Sequence, residues 1–140
     1  MNQNYSIILA CAALVLLVAV VALRMLYVRV TEMRARRIHP QQVATSKTMA
    51  DKFQSIQAAD NYRNLFEMPV LFYTLCIILL VTGKADASYV SLAWVYVALR
   101  YLHSAIHCSY NNVNHRFMAF GASCVVVWAM WVRLALQVAG

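Results

Sequence analysis

The residues from Ile7 to Leu23 are apolar without exception, and no side-chain charge occurs from Met1 to Leu23. A helix crossing a bilayer needs about 20 predominantly apolar residues. Inside the hydrocarbon only helices and closed barrels satisfy every backbone polar group. Three further uncharged runs follow: Met68 to Gly83, Ala87 to Leu99 (resuming after Arg100 as Tyr101 to Asn114), and Phe117 to Val132. These reach spanning length only by including polar residues at one end, as helices do when they hide a polar stripe inside a bundle. Barrel strands alternate apolar with polar residues, and CIILLV and CVVVWAMWV do not. Only 12% of the residues are charged, about half the ~25% of soluble domains, so a soluble enzyme is excluded. The net charge of +7 is a local feature of one segment. No aromatic-and-basic groove pattern accompanies it, so a nucleic-acid binder is excluded too.

The chain therefore reads as an all-α integral membrane protein. It forms one domain over residues 1–140, a four-helix transmembrane bundle with spans near 5–30, 61–82, 87–109 and 116–137. The first run lacks the basic lead-in and small-residue cleavage site of a signal peptide. Arg24, Arg29, Arg34, Arg36 and Arg37 follow it as a stop-transfer pattern. Cys11, Cys76, Cys108 and Cys124 lie in or beside apolar runs with no CxxC pair, and read as packing residues.

Eight of the twelve Lys and Arg residues fall between Arg24 and Arg63, the first connection. The positive-inside rule puts the first and third connections in the cytoplasm and both termini on the other side. The first connection should continue the first helix past Arg29, break near His39-Pro40 and resume as helix before Asp60. Its arginines read as an interfacial face attracted to anionic lipid. Trp94, Trp128 and Trp131 read as interface anchors or packing.

Ionisable residues inside spans are costly and mark function by default. The second span begins with Asp60, Asn61, Arg63, Asn64 and Glu67, of which 60, 64 and 67 share a helical face. In the third, Tyr96, Arg100, His103 and His107 share one face, and Arg116 opens the fourth. At ~1.5 Å per residue, Glu67 and Arg100 both lie about 10 Å from the cytoplasmic ends of their helices. One polar site at that end is expected, with no comparable cluster in the outer part of the bundle. Several arginines around one or two carboxylates suit a zwitterionic peptide: Arg pairs with carboxylates and Glu accepts from ammonium. The apolar walls suit a lipophilic second substrate.

Glu67 with Arg100 can equally be a buried structural pair, and the two histidines can simply hydrogen-bond across helices. The His103/His107 spacing also fits a metal pair with Glu67 as third ligand. Arg100 and Arg116 beside it would repel a cation, so no metal is expected. Asn111, Asn112 and Asn114 read as turn residues.

RNLFEMP (Arg63 to Pro69) and RYLHSAIHCSYNNVNHR (Arg100 to Arg116) resemble the second-helix and third-helix signatures of the MAPEG family. These are the membrane-associated proteins in eicosanoid and glutathione metabolism. The resemblance implies a homotrimer, with glutathione as co-substrate held between subunits at the cytoplasmic end. It implies that Arg63, Asn64, Glu67, Arg100, His103 and His107 line the glutathione site, and that Arg116 stabilises the thiolate. A first-helix arginine joins them in the family; Arg29 and Arg34 are candidates, and Arg34 is taken. His107 stands where the prostaglandin-isomerising branch has Tyr. Phe117 and Phe120 stand where that branch has Ser and Tyr, so prostaglandin isomerisation is not expected. The resulting expectation is a glutathione transferase or peroxidase acting on lipophilic electrophiles. The alternative is a non-enzymatic lipid-binding or activating protein of the same fold.

Overall fold

The computed structural model describes residues 2–43 and 45–140. It is all-helical among those residues: α1 (Gln3–Ala35), α2 (Ser46–Lys52), α3 (Gln57–Asn64), α4 (Met68–Thr82), α5 (Ala87–Cys108) and α6 (Val113–Ala139), with a 3₁₀ turn at Pro40–Val43.

Four of the six helices, α1, α2, α5 and α6, start where the sequence supplies a capping side chain. The Asn2 side chain accepts from the Asn4 amide, Asp86 from the Ser88 and Tyr89 amides, and Asn112 from the Asn114 and His115 amides. Such caps satisfy donors that would otherwise be orphaned at a helix start. Thr45 and Thr48 form a reciprocal capping box at α2. Gly83, at φ 67°, closes α4 in the left-handed conformation that glycine adopts without penalty. In the last turns of α1, Glu32 holds the first connection down. Its carboxylate accepts from the Gln54 amide at 2.6 Å and the Ser55 amide at 3.2 Å.

Three stretches are long and apolar enough to cross a membrane: Gln3–Ala35, Gln57–Thr82 and Val113–Ala139. The fourth long helix, α5, is 22 residues, or about 33 Å, so length does not disqualify it. Its buried face carries Tyr89, Tyr96, Arg100, His103, Ser104 and His107, and those side chains lower its mean hydropathy.

The second spanning stretch is two helices rather than one. Pro69 has no amide to donate to Leu65, and its ring crowds that carbonyl. Residues 65–67 therefore form a tightened turn, with Phe66 N bonded to Arg63 O at 2.9 Å and Glu67 N to Asn64 O at 3.4 Å. α4 restarts with Pro in its first turn, where a missing amide is harmless.

α5 packs on α6 and α1, and α4 packs on the same two helices, while α3 lies against α1 and α5. The core runs through Ile7, Leu14, Phe72, Leu79, Tyr96, Val127 and Met130. Phe72 and Tyr96 stack at 4.6 Å between ring centroids. Large apolar side chains such as Leu16, Val81, Val132 and Leu136 point outward, as a lipid-facing surface requires. All four cysteines are free thiols, Cys76 and Cys124 buried, and Cys11 and Cys108 half-buried.

Candidate functional site

The polar residues of α3, α5 and α6 meet at one end of the bundle. Tyr96, Arg100, His103 and His107 are all on the buried face of α5, as their spacing of four, three and four dictates. Asn61, fully buried on α3, accepts from Ser104 Oγ at 3.3 Å and donates to Cys108 Sγ at 3.4 Å.

Arg100 is 0% exposed. Its Nη2 donates to both the side-chain Oδ1 and the backbone O of Asn64, the latter at 3.2 Å. Its guanidinium lies 5.6 Å from the centre of the Phe120 ring, within cation–π range. Its Nε and Nη1 have no partner.

The direct Glu67–Arg100 ion pair is not formed. Among the described residues the ion pairs are Arg36–Glu32 and Arg133–Asp86. Glu67 is exposed and accepts from Asn64 Nδ2 at 3.3 Å. Asn64 thus stands between the two charges, its amide oxygen toward Arg100 and its amide nitrogen toward Glu67. The cause is local: the turn at 65–67 interrupts the helical face that residues 60, 64 and 67 would have shared.

Arg116 lies in the first turn of α6 and is half-buried. Its Nη1 donates to His107 Nε2 at 2.8 Å and to Asn111 Oδ1 at 2.9 Å. His103 Nδ1 lies 3.1 Å from the Arg116 carbonyl oxygen. These contacts assign the tautomers, since a guanidinium only donates and a carbonyl only accepts. His103 carries its proton on Nδ1 and His107 carries its proton on Nδ1. His103 Nε2 and His107 Nδ1 are then buried without partners. Asn111, in the left-handed region at φ 48°, is more than a turn residue, because its side chain fixes Arg116. The signal in the sequence is an asparagine at the helix–helix corner, a residue that tolerates this conformation.

Arg63 is exposed on α3, and Arg34 is exposed on the extension of α1 beyond the bundle. Arg34 is therefore not gathered with Arg100 and Arg116 within one chain. The first-helix arginine that reaches α5 is Arg24, whose Nη2 donates to the Cys108 carbonyl at the α5 C-terminus. Among the described residues no three His, Cys, Asp or Glu side chains gather as a metal set.

The opposite end of the bundle also carries a polar cluster, contrary to the sequence-based expectation of a single polar site. Arg133 donates to both carboxylate oxygens of Asp86, at 3.0 and 2.5 Å. Its guanidinium stacks 4.3 Å from the centre of the Tyr89 ring, and Tyr89 OH donates to Gln137 Oε1 at 2.9 Å. Lys84 Nζ donates to the Gln137 carbonyl at 3.1 Å. The Arg133 hydrogen bond holds the Asp86 carboxyl below its usual value. The depth argument that joins Glu67 to Arg100 also joins Asp86, before the third run, to Arg133, just after the fourth.

In chemical terms the cluster around Arg100 and Arg116 is a donor-rich, cationic site. Two guanidinium nitrogens and one imidazole N–H are buried without partners, with one imidazole lone pair beside them. Such a set complements an anion. Residues 7–136 match the MAPEG family. Comparison with curated proteins gives no match, and comparison with solved structures gives none.

Proposed function

From a chain that belongs to the MAPEG family, and so to the membrane proteins of glutathione and eicosanoid metabolism, we propose a membrane-bound glutathione-dependent transferase or peroxidase acting on lipophilic electrophiles. The observation that carries this reading is Arg100: a fully buried guanidinium with two nitrogens unpartnered and no carboxylate paired to it. A buried charge left without compensation costs several kcal/mol. An anionic peptide provides that compensation.

In this reading glutathione is a substrate bound by Arg63, Asn64, Glu67, Arg100, His103 and His107, with Arg34 contributed by a neighbouring copy. The homotrimer is supported by one face of the second spanning stretch. On α4, Val70, Thr74, Ile77 and Val81 are exposed and recur at helical spacing, and Arg63 and Glu67, which precede that helix, are exposed as well. Charged side chains facing lipid are expensive, and a second copy covering that face removes the expense. The basic first connection supports a cytoplasmic site with both termini outside.

Arg116 is the residue assigned to the thiol. A free thiol has a pKa near ~8.5, and a neighbouring cation lowers it. His107 and Asn111 both accept from Arg116 Nη1, which fixes the guanidinium in place before substrate arrives. The thiol proton leaves to solvent and the thiolate attacks the electrophilic carbon. An S–C bond forms as the leaving group departs or a strained ring opens.

A second reading, a non-enzymatic lipid-binding protein of the same fold, has an observation in its favour. Phe120 packs 5.8 Å from His103 and beside Arg100, and neither it nor Phe117 can donate to a thiolate. Conjugation of a chromogenic electrophile, measured with glutathione affinity, separates the two. Arg116→Leu should keep the fold and most of the binding but lose turnover. Equal turnover in both proteins would sink the thiolate role. No turnover in the wild type across a broad electrophile panel would favour the second reading.

A further inference from the structure

An apolar groove of about 220 Å³ runs between α1 and α5, walled by Leu17, Val20 and Val21 on one side and Tyr101 and Ala105 on the other. Tyr101 OH donates to the Ala13 carbonyl at 2.7 Å, so this wall is fixed. Arg24 stands at the mouth. Beyond it a polar pocket of about 150 Å³ opens, lined by Ser55, Gln57 and Ser109. Arg24 and Cys108 line both spaces, so the two adjoin.

The depths suit an amphiphile. Leu17 lies seven residues from Arg24, about 10 Å along α1, in the direction of the hydrocarbon. Arg24 itself marks the end of the uncharged first run. Its Nη2 caps the α5 C-terminus, a favourable place for a cation. Its Nε and Nη1 donate to no described residue, and no described carboxylate pairs with it. A free guanidinium fork at the headgroup level is a receptor for phosphate or carboxylate oxygens.

Two features choose among amphiphiles. No Asp or Glu lines either space, so nothing there would pair with a choline or ethanolamine cation. The polar pocket beyond Arg24 is larger than a carboxylate needs, and hydroxyl and amide side chains line it. We propose that the α1–α5 groove binds an anionic phospholipid, with one acyl chain along Leu17 to Ala105 and the phosphate on Arg24. None of the residues assigned to glutathione lines this groove, so the proposal stands apart from that function.

The test uses the full chain, delipidated in detergent and titrated with dioleoyl phosphatidylglycerol, dioleoyl phosphatidylcholine or oleate. Bound lipid is counted by native mass spectrometry and stabilisation is read by melting. Phosphatidylglycerol should bind one per chain and raise the melting temperature; the other two should not. Arg24→Gln removes a charge-assisted contact and should weaken binding about tenfold or more. Ala105→Phe fills the groove from the outward face of α5 and should abolish binding while the fold stands, even where Arg24→Gln fails to fold. Phosphatidylglycerol binding that survives Ala105→Phe overturns the groove. Equal stabilisation by phosphatidylcholine overturns the role of Arg24, and equal stabilisation by oleate makes the ligand a fatty acid instead.

Discussion

Replacing Arg100 with methionine separates a guanidinium kept for structure from one kept for a ligand. Methionine fills much of the volume of the arginine stem and carries no charge. The substitution removes two hydrogen bonds to Asn64. Bonds to charged groups are worth about 1.5–3 kcal/mol each, so the loss is about 3–6 kcal/mol. Against this stands the relief of an ion that is 0% exposed and has no carboxylate partner, a penalty of several kcal/mol. The two terms nearly cancel. The net change in the stability of the ligand-free protein should therefore fall within about 2 kcal/mol of zero. In melting temperature that is a shift of no more than about 8 °C for a chain of this size. Melting in detergent with and without glutathione is the assay. Wild type should be stabilised by glutathione, whereas Arg100→Met should melt near the wild-type value and lose most of that stabilisation. A structural guanidinium predicts the opposite pattern: a loss of about 3–5 kcal/mol with the glutathione shift intact. That outcome would refute the reasoning.

Glu67→Gln keeps the hydrogen bond from Asn64 but removes the charge; glutathione stabilisation should fall with little change in ligand-free melting, and an unchanged shift would leave Glu67 only its contact with Asn64. A topology reporter fused after Gly140 should lie outside the cytoplasm and one inserted near Gln41 inside; a cytoplasmic C-terminus would remove the shared depth of the α3 and α5 residues. Asp86 is held below its ordinary value in the fold, so its contribution is present above the unfolded value near ~4 and disappears as pH falls through the lower folded value. Wild type should accordingly melt above Asp86→Asn at pH 7, and the two curves should converge as pH falls below ~4; a gap that persists there would show that the Arg133 contact does not act through charge.

Much of this arrangement was legible because helical periodicity is a strong signal. The stripe 96, 100, 103 and 107 needed nothing beyond 3.6 residues per turn, and the structure buries all four side chains. Periodicity fails at Pro69. The 60, 64, 67 stripe assumes a continuous helix, and one missing amide turns Glu67 out of it. The contact of Arg116 with Asn111 depends on a corner between two helices, and spacing along one helix carries no information about corners. Arg133 with Asp86 was open to the same depth reasoning as the cluster around Arg100 and Arg116. The charge at the edge of an apolar run reads easily as a mere boundary, and so its partner across the bundle was missed.

The two arginines of α6 have a consequence for the bilayer. Arg116 is tied to His107 and Asn111, Arg133 to Asp86, so neither can slide along the membrane normal without breaking contacts to other residues. They are seventeen residues apart, about 26 Å along the helix. The stretch between them carries no charge. The bundle therefore has a built-in hydrophobic thickness of about 26 Å, a few Å below the ~30 Å of an average hydrocarbon core. Helices can tilt to shorten their span but not to lengthen it. In thicker bilayers the lipid must thin around the protein, at fractions of a kcal/mol per Å, and bilayers close to 26 Å should hold it with the least distortion.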